Sequence, residues 1–154
     1  MKKEFFVDKL CVVITDTRDE MGAAAASDAA EYMRAQIAKL GGISAIFAAA
    51  PSQNEVLEHV SREDIDWSKV TAYHMDEYVG LAPDAPQRFA RYLDEHIFSK
   101  VNFGKINYLA GDDGKLNHVY SDMFTHNRAD ICFMGIGENG HIAFNDPPVA
   151  HLFD

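Results

Sequence analysis

The stretch "ISAIFAAAPSQNEVLEHV" (residues 43–60) changes character at its middle, and that change decides the fold. Its first half is an apolar run of strand length, whereas Pro51 and Ser52 in its second half suit the start of a helix. The alternation continues outward on both sides. Upstream, "LCVVIT" (residues 10–15) is a β-branched run, followed by a segment in which Ala25, Ala29, Met33 and Ile37 recur four apart until Gly41 and Gly42 end it. Downstream, "KVTAYHM" (residues 69–75) reads as a strand, and "QRFARYLDEHIF" as a helix with Phe89, Tyr92, Leu93, His96 and Ile97 on one face. "INYL" is then a short strand, "KLNHVYSDMFTHN" (residues 115–127) a helix, and "DICFMGIG" a last strand running into glycines. Strands alternating with helices predict an α/β fold: a three-layer, Rossmann-like parallel sheet with helices on both faces, in a single domain over residues 1–154.

Composition narrows the function. The chain has 154 residues, 47% apolar and 25% charged, ordinary for a packed globular domain. It carries 14 basic against 24 acidic residues, a formal net charge of −10, without a cluster of Lys or Arg. Nucleic acid and anionic membrane surfaces are therefore excluded as expected partners. A small anionic substrate stays compatible, because backbone N–H groups and one or two local cations suffice to hold a phosphate. Cys11 and Cys132 lie in apolar runs and are expected to be buried, reduced thiols. There is no CxxC and no paired Cys/His spacing, so neither a metal nor a cofactor is expected. Asp8 and Lys9 interrupt the apolar stretch near the start, which makes a poor signal peptide, and no run approaches the ~18 apolar residues of a membrane span. A cytoplasmic protein is the expectation, with homo-oligomerisation left open.

In an open parallel sheet, ligands sit at loops leaving the carboxyl ends of the strands. Three loops qualify, at residues 48–54, 75–86 and 135–148. The second holds adjacent carboxylates, Asp76 and Glu77, whose side chains on an extended segment point to opposite sides. Spacing alone also fits a solvated loop or a helix cap. The third, "GIGENGHIAFNDPP", frames His141 with Gly135, Gly137 and Gly140, residues that admit positive φ and close approach of backbone to a ligand. A histidine there can exchange a proton near neutral pH, and Glu138 or Asp146 can orient it. A tight turn around a structural histidine fits the same pattern.

"MDEYVGL" (residues 75–81) and "GIGENGHIAFNDP" (residues 135–147), in that order within an alternating chain, resemble the glucosamine-6-phosphate deaminase/isomerase family. The resemblance runs from about residue 10 to residue 148, and 6-phosphogluconolactonases share the fold with less similar loops. It implies conversion of glucosamine 6-phosphate and water to fructose 6-phosphate and ammonia. By the resemblance, Asp76 is the base moving a proton between C2 and C1, His141 assists ring opening, and Asp146 supports His141. Asn139, where some members carry Asp, is assigned to binding or positioning; Gly137, Gly140, Glu77 and Ser52 join it as substrate-binding residues.

Two departures qualify this reading. The phosphate loop, usually rich in glycine and hydroxyls, here reads "FAAAPSQNE", in which Ala48, Ala49 and Ala50 lack glycine's freedom and Ser52 alone keeps a hydroxyl. Ser52 also fits a plain helix cap. The chain further stops soon after the last motif, where family members continue into a segment with a phosphate-binding lysine, so a C-terminally truncated chain is expected. A 6-phosphogluconolactonase-like hydrolase and a non-catalytic sugar-phosphate-binding module remain the alternatives.

Overall fold

Asp8 and Lys9 form a tight turn in which Asp8 has φ 54°, a conformation that Asp tolerates better than most residues. The turn folds β1 (Lys3–Val7) back on β2 (Leu10–Ile14), with Val7 opposite Leu10 and Lys3 opposite Ile14. These coordinates are a computed structural model that describes residues 3–109, 120–121, 125, 129–143 and 145–146. The run at residues 10–15 is thus a strand, but it belongs to a separate antiparallel hairpin rather than to the parallel sheet. The physical reason is the turn itself, which supplies β2 with a ladder partner next door in sequence. Cys11 goes with the hairpin and is exposed, as is Cys132, so neither thiol is buried as expected.

A capping box starts the long helix α1 (Arg18–Leu40). Thr17 accepts from the backbone N–H of Glu20, and the Glu20 carboxylate accepts from the N–H of Thr17 at 3.2 Å. Gly41, at φ 81°, ends it with its N–H on the Ile37 carbonyl. The chain then alternates through β3 (Ile43–Phe47), a single 3-10 turn (Pro51–Gln53), α2 (Asn54–Val60), β4 (Val70–His74) and α3 (Phe89–Leu93). A wider π-helical turn (Asp94–Phe98) prolongs α3, burying Phe98 beside the expected Leu93 and Ile97. β5 (Lys105–Asn107) and β6 (Ile131–Phe133) complete a four-stranded parallel sheet in the order β5-β4-β3-β6.

Alternation along β3 and β4 puts Ile43, Ala45, Phe47, Val70 and Ala72 on one face, against Met33 of α1, Leu57 of α2 and Leu93 of α3. Phe47 is fully buried, stacked on Phe133 at 4.9 Å and meeting the edges of Phe98 and Phe103. On the opposite face, Tyr73 of β4 packs against Tyr120 at 5.6 Å. Tyr120, Ser121 and Thr125 are helical; the rest of the helix expected over residues 115–127 lies outside the described residues. No helix among the described residues is long and apolar enough to cross a membrane.

α1 and α2 approach so closely at Gly22 that a β-carbon there would stand 2.5 Å from the Glu55 Cβ. Alanine is the better helix former by about 1 kcal/mol. Gly22→Ala should nevertheless lower stability, by about 1–3 kcal/mol, because overpacking separates the helices. Urea unfolding measures the sign; a stabilised variant would mean that the contact yields.

Candidate active site

The order β5-β4-β3-β6 reverses direction at β3: the chain moves outward through β4 and β5, then returns to add β6 on the other side. The loops after β3 and β6 therefore diverge over a crevice, which is where an open α/β sheet places its ligands. A cleft of about 590 Å³ lies there. All three loops singled out in the sequence line it, through Ala48 to Ser52, through Met75, Asp76 and Tyr78, and through Gly135 to Asp146. Asp76, His141, Asp146, Ser52 and Gly137 face this cleft together; Glu77, Asn139 and Gly140 are not among its walls.

The adjacent carboxylates have opposite fates. Asp76 lines the cleft, and burial, with the charge of Glu77 adding, holds its carboxyl above the ordinary aspartate range. Glu77 turns inward, its side chain 3% exposed. It accepts from the N–H groups of Tyr78, Phe89 and Ala90 at 3.0, 3.0 and 3.1 Å, and pairs with the Arg88 guanidinium at 3.3 Å. A carboxylate drawn from water is stable only when bonded in this way. Glu77 therefore ties the start of α3 to the Asp76 loop.

The glycine-framed loop closes on its histidine. His141 Nδ1 lies 2.6 Å from Asn139 Oδ1 and 3.1 Å from Asp146 Oδ1, and the Asn139 amide donates to Asp146 at 3.0 Å. Both oxygens facing Nδ1 accept, so Nδ1 carries a hydrogen. Aspartate thus reaches the ring despite its short side chain, and Asn139 braces both partners. Of the three glycines, Gly140 alone has positive φ, at 84°. Gly137 is needed for room, since a β-carbon there would run into the His141 ring. Ala143 closes the bend at φ 53°, a left-handed alanine in the cleft wall.

Ser52 caps no helix: its Oγ is buried without a hydrogen-bond partner among the described residues. It is pinned from across the cleft by Gly135, where a β-carbon would fall 2.6 Å from that Oγ. Beside it, Arg18 at the head of α1 also lines the cleft. Its guanidinium donates to both Glu55 oxygens, at 2.8 and 2.7 Å, and to the Pro51 carbonyl at 2.8 Å. That hydrogen bonding, with the charge of Arg18, lowers the Glu55 carboxyl to about 2. Sequence reading passed over Arg18, because a helix-start arginine has no signal until Glu55 and Pro51 are folded against it.

Fold and site together define an open parallel-sheet α/β domain with acid–base groups gathered at its switch point. Residues 16–145 match the family model for glucosamine-6-phosphate isomerases and 6-phosphogluconolactonases, and the chain belongs to that family. It is 30% identical over 142 residues to glucosamine-6-phosphate deaminase 2 of Bacillus subtilis, covering 88% of this chain and 57% of that one. Among solved structures it resembles a monomeric glucosamine-6-phosphate deaminase, with TM-score 0.74 and 22% identity over 87% of this chain and 58% of the other. It also resembles a 6-phosphogluconolactonase from Plasmodium vivax, with TM-score 0.78 and 12% identity over 95% of this chain and 55% of the other. The chain spans about half the length of the curated relatives it matches, 44% to 57% in two of them.

The raised pKa of Asp76 makes a statement about stability. Its ionised form is disfavoured in the fold, so the stability it contributes is present below the ordinary value of 3.8 and is lost as pH rises through the folded value. Asp76→Asn should therefore unfold at higher urea than the wild type near pH 7, with the gap closing below 3.8. An equal gap in acid and at neutrality would remove the buried charge as its cause.

Proposed function

We propose that the cleft is the acid–base and sugar-binding part of an amino-sugar-phosphate isomerase/deaminase, turning glucosamine 6-phosphate and water into fructose 6-phosphate and ammonia. The observation that carries this reading is the placement of the Asp76 carboxylate and the braced His141 in the walls of one cleft, beside the buried Ser52 hydroxyl. Aldose–ketose isomerisation needs a carboxylate at the carbon that loses a proton and a second group at the ring oxygen. Asp76 is the base that carries the proton from C2 to C1. His141, with Nδ1 held by Asn139 and Asp146, exchanges a proton with the ring oxygen through Nε2. Water then takes the place of the amino group, which leaves as ammonia.

The phosphate is assigned to the Ser52 end of the cleft, where Oγ has no hydrogen-bond partner among the described residues and Arg18 supplies a cation. Ala48, Ala49 and Ala50 form the wall above it in place of the glycine-rich cradle. Glu77, Asn139 and Gly140 serve as positioning residues behind the walls, holding Asp76 and His141 rather than the sugar.

Ammonia release from glucosamine 6-phosphate tests the reaction. Turnover is expected, and Asp76→Asn should reduce it by about 10²–10⁴-fold while sugar-phosphate affinity changes little. Unchanged turnover in that variant removes Asp76 from the chemistry. Hydrolysis of a 6-phosphogluconolactone without ammonia release would move the chain to the hydrolase reading.

A further inference from the structure

His74 is the last residue of β4, two positions before Asp76, and is 1% exposed. Its ring has a partner at each nitrogen. Nδ1 lies 2.9 Å from the backbone carbonyl of Asp76, and Nε2 lies 2.7 Å from the backbone N–H of Leu109, just past β5. A carbonyl can only accept and an amide N–H can only donate. The two contacts therefore fix one protonation state: Nδ1 carries the hydrogen and gives it to Asp76, and Nε2 keeps its lone pair for Leu109. The other neutral tautomer sets two lone pairs against each other at Asp76 and two hydrogens at Leu109; the imidazolium loses the Leu109 bond.

The surroundings hold the ring in that state. Tyr108 and Tyr120 stand at centroid distances of 6.2 and 6.3 Å, and the Tyr120 hydroxyl receives the backbone N–H of His74 at 3.3 Å. Charges of Glu77, Arg88 and Asp94 reach the ring too, yet burial dominates and lowers its pKa. The flanking β4–β5 pairing, Ala72 with Ile106 and Tyr73 with Asn107, fixes how far Leu109 stands from the end of β4.

We propose that His74 is a positioning residue: a neutral two-ended clamp that anchors the Asp76 backbone to the end of β5 and so fixes where the Asp76 carboxylate stands in the cleft. The clamp works with Glu77, which holds the same loop from the α3 side. Its catalytic consequence rests on the reading of Asp76 as the proton-transfer base, but its geometry does not. Removing the clamp lets the loop shift, and a displacement of about 1 Å at a reacting group costs about 10²-fold in rate.

Three measurements on the 154-residue chain test it. Long-range 1H–15N spectra of the wild type should show His74 as an Nδ1–H, Nε2-lone-pair ring that does not protonate as pH falls through 6.5, the ordinary histidine value. An Nε2–H ring, or protonation at that ordinary value, overturns the proposal whatever the activity. The second follows the Asp76 carboxyl by 13C titration in His74→Gln, which keeps a donor and an acceptor, and in His74→Phe, which keeps the bulk alone. The Gln variant should titrate Asp76 as the wild type does, and the Phe variant should move it towards 3.8. Equal behaviour of the two variants counts against the clamp. In turnover, His74→Phe should lower kcat by about 10- to 100-fold with KM within about twofold, and His74→Gln should restore most of it. If Asp76→Asn leaves turnover intact, the assignment of the base fails while the tautomer and titration results still decide the clamp.

Discussion

The site depends on how closely the ends of β3 and β6 are drawn together. Phe47 stacks on Phe133 with the ring planes 3° apart, and the N–H of Ala48 continues the ladder to the Phe133 carbonyl at 3.0 Å. Gly135 passes so near the other loop that a β-carbon would collide with Ala50. The Gln53 side-chain amide, buried to 3% exposure, donates back to the Ala48 carbonyl and stiffens the opposite lip. A packed aromatic pair below and a glycine-width contact above set the spacing of the two loops that flank the cleft.

Much of this was legible in the sequence, for an identifiable reason. The change of period around Pro51 and the glycine-framed loop around His141 are local features, and local features survive reading one residue at a time. The parallel sheet and the meeting of three loops followed from them. The hairpin was not legible, because "LCVVIT" has the same β-branched pattern whichever sheet it joins; the turn at Asp8 and Lys9 was the available signal. The burial of Cys11 was misjudged with it. Ser52 was weighed as a helix cap, but the 3-10 turn delays α2 to Asn54 and leaves the hydroxyl facing the cleft. Arg18 with Glu55 and His74 with Leu109 are pairings 37 and 35 residues apart, which no local pattern announces.

Asp76 and Glu77 show why residue type alone does not assign a role. They are neighbours in sequence with the same chemistry, yet one is held above its ordinary pKa range at a cleft wall and the other is saturated by three backbone N–H groups and an arginine. The extended backbone turns them to opposite sides, and what lies on each side does the rest. Three N–H donors and a neighbouring guanidinium hold the Glu77 carboxylate in place, whereas burial beside Glu77 disfavours the charge on Asp76.

The triangle of Asn139, His141 and Asp146 is closed within a single loop, its longest link spanning seven residues. Asp76, in contrast, reaches the same cleft only because β4 lies beside β3 in the sheet. Closing a short loop costs little chain entropy, and the cost grows only slowly with length. The contacts that hold the histidine are therefore local ones. The placing of His141 thus answers to one short loop, whereas the placing of Asp76 answers to the order of the strands.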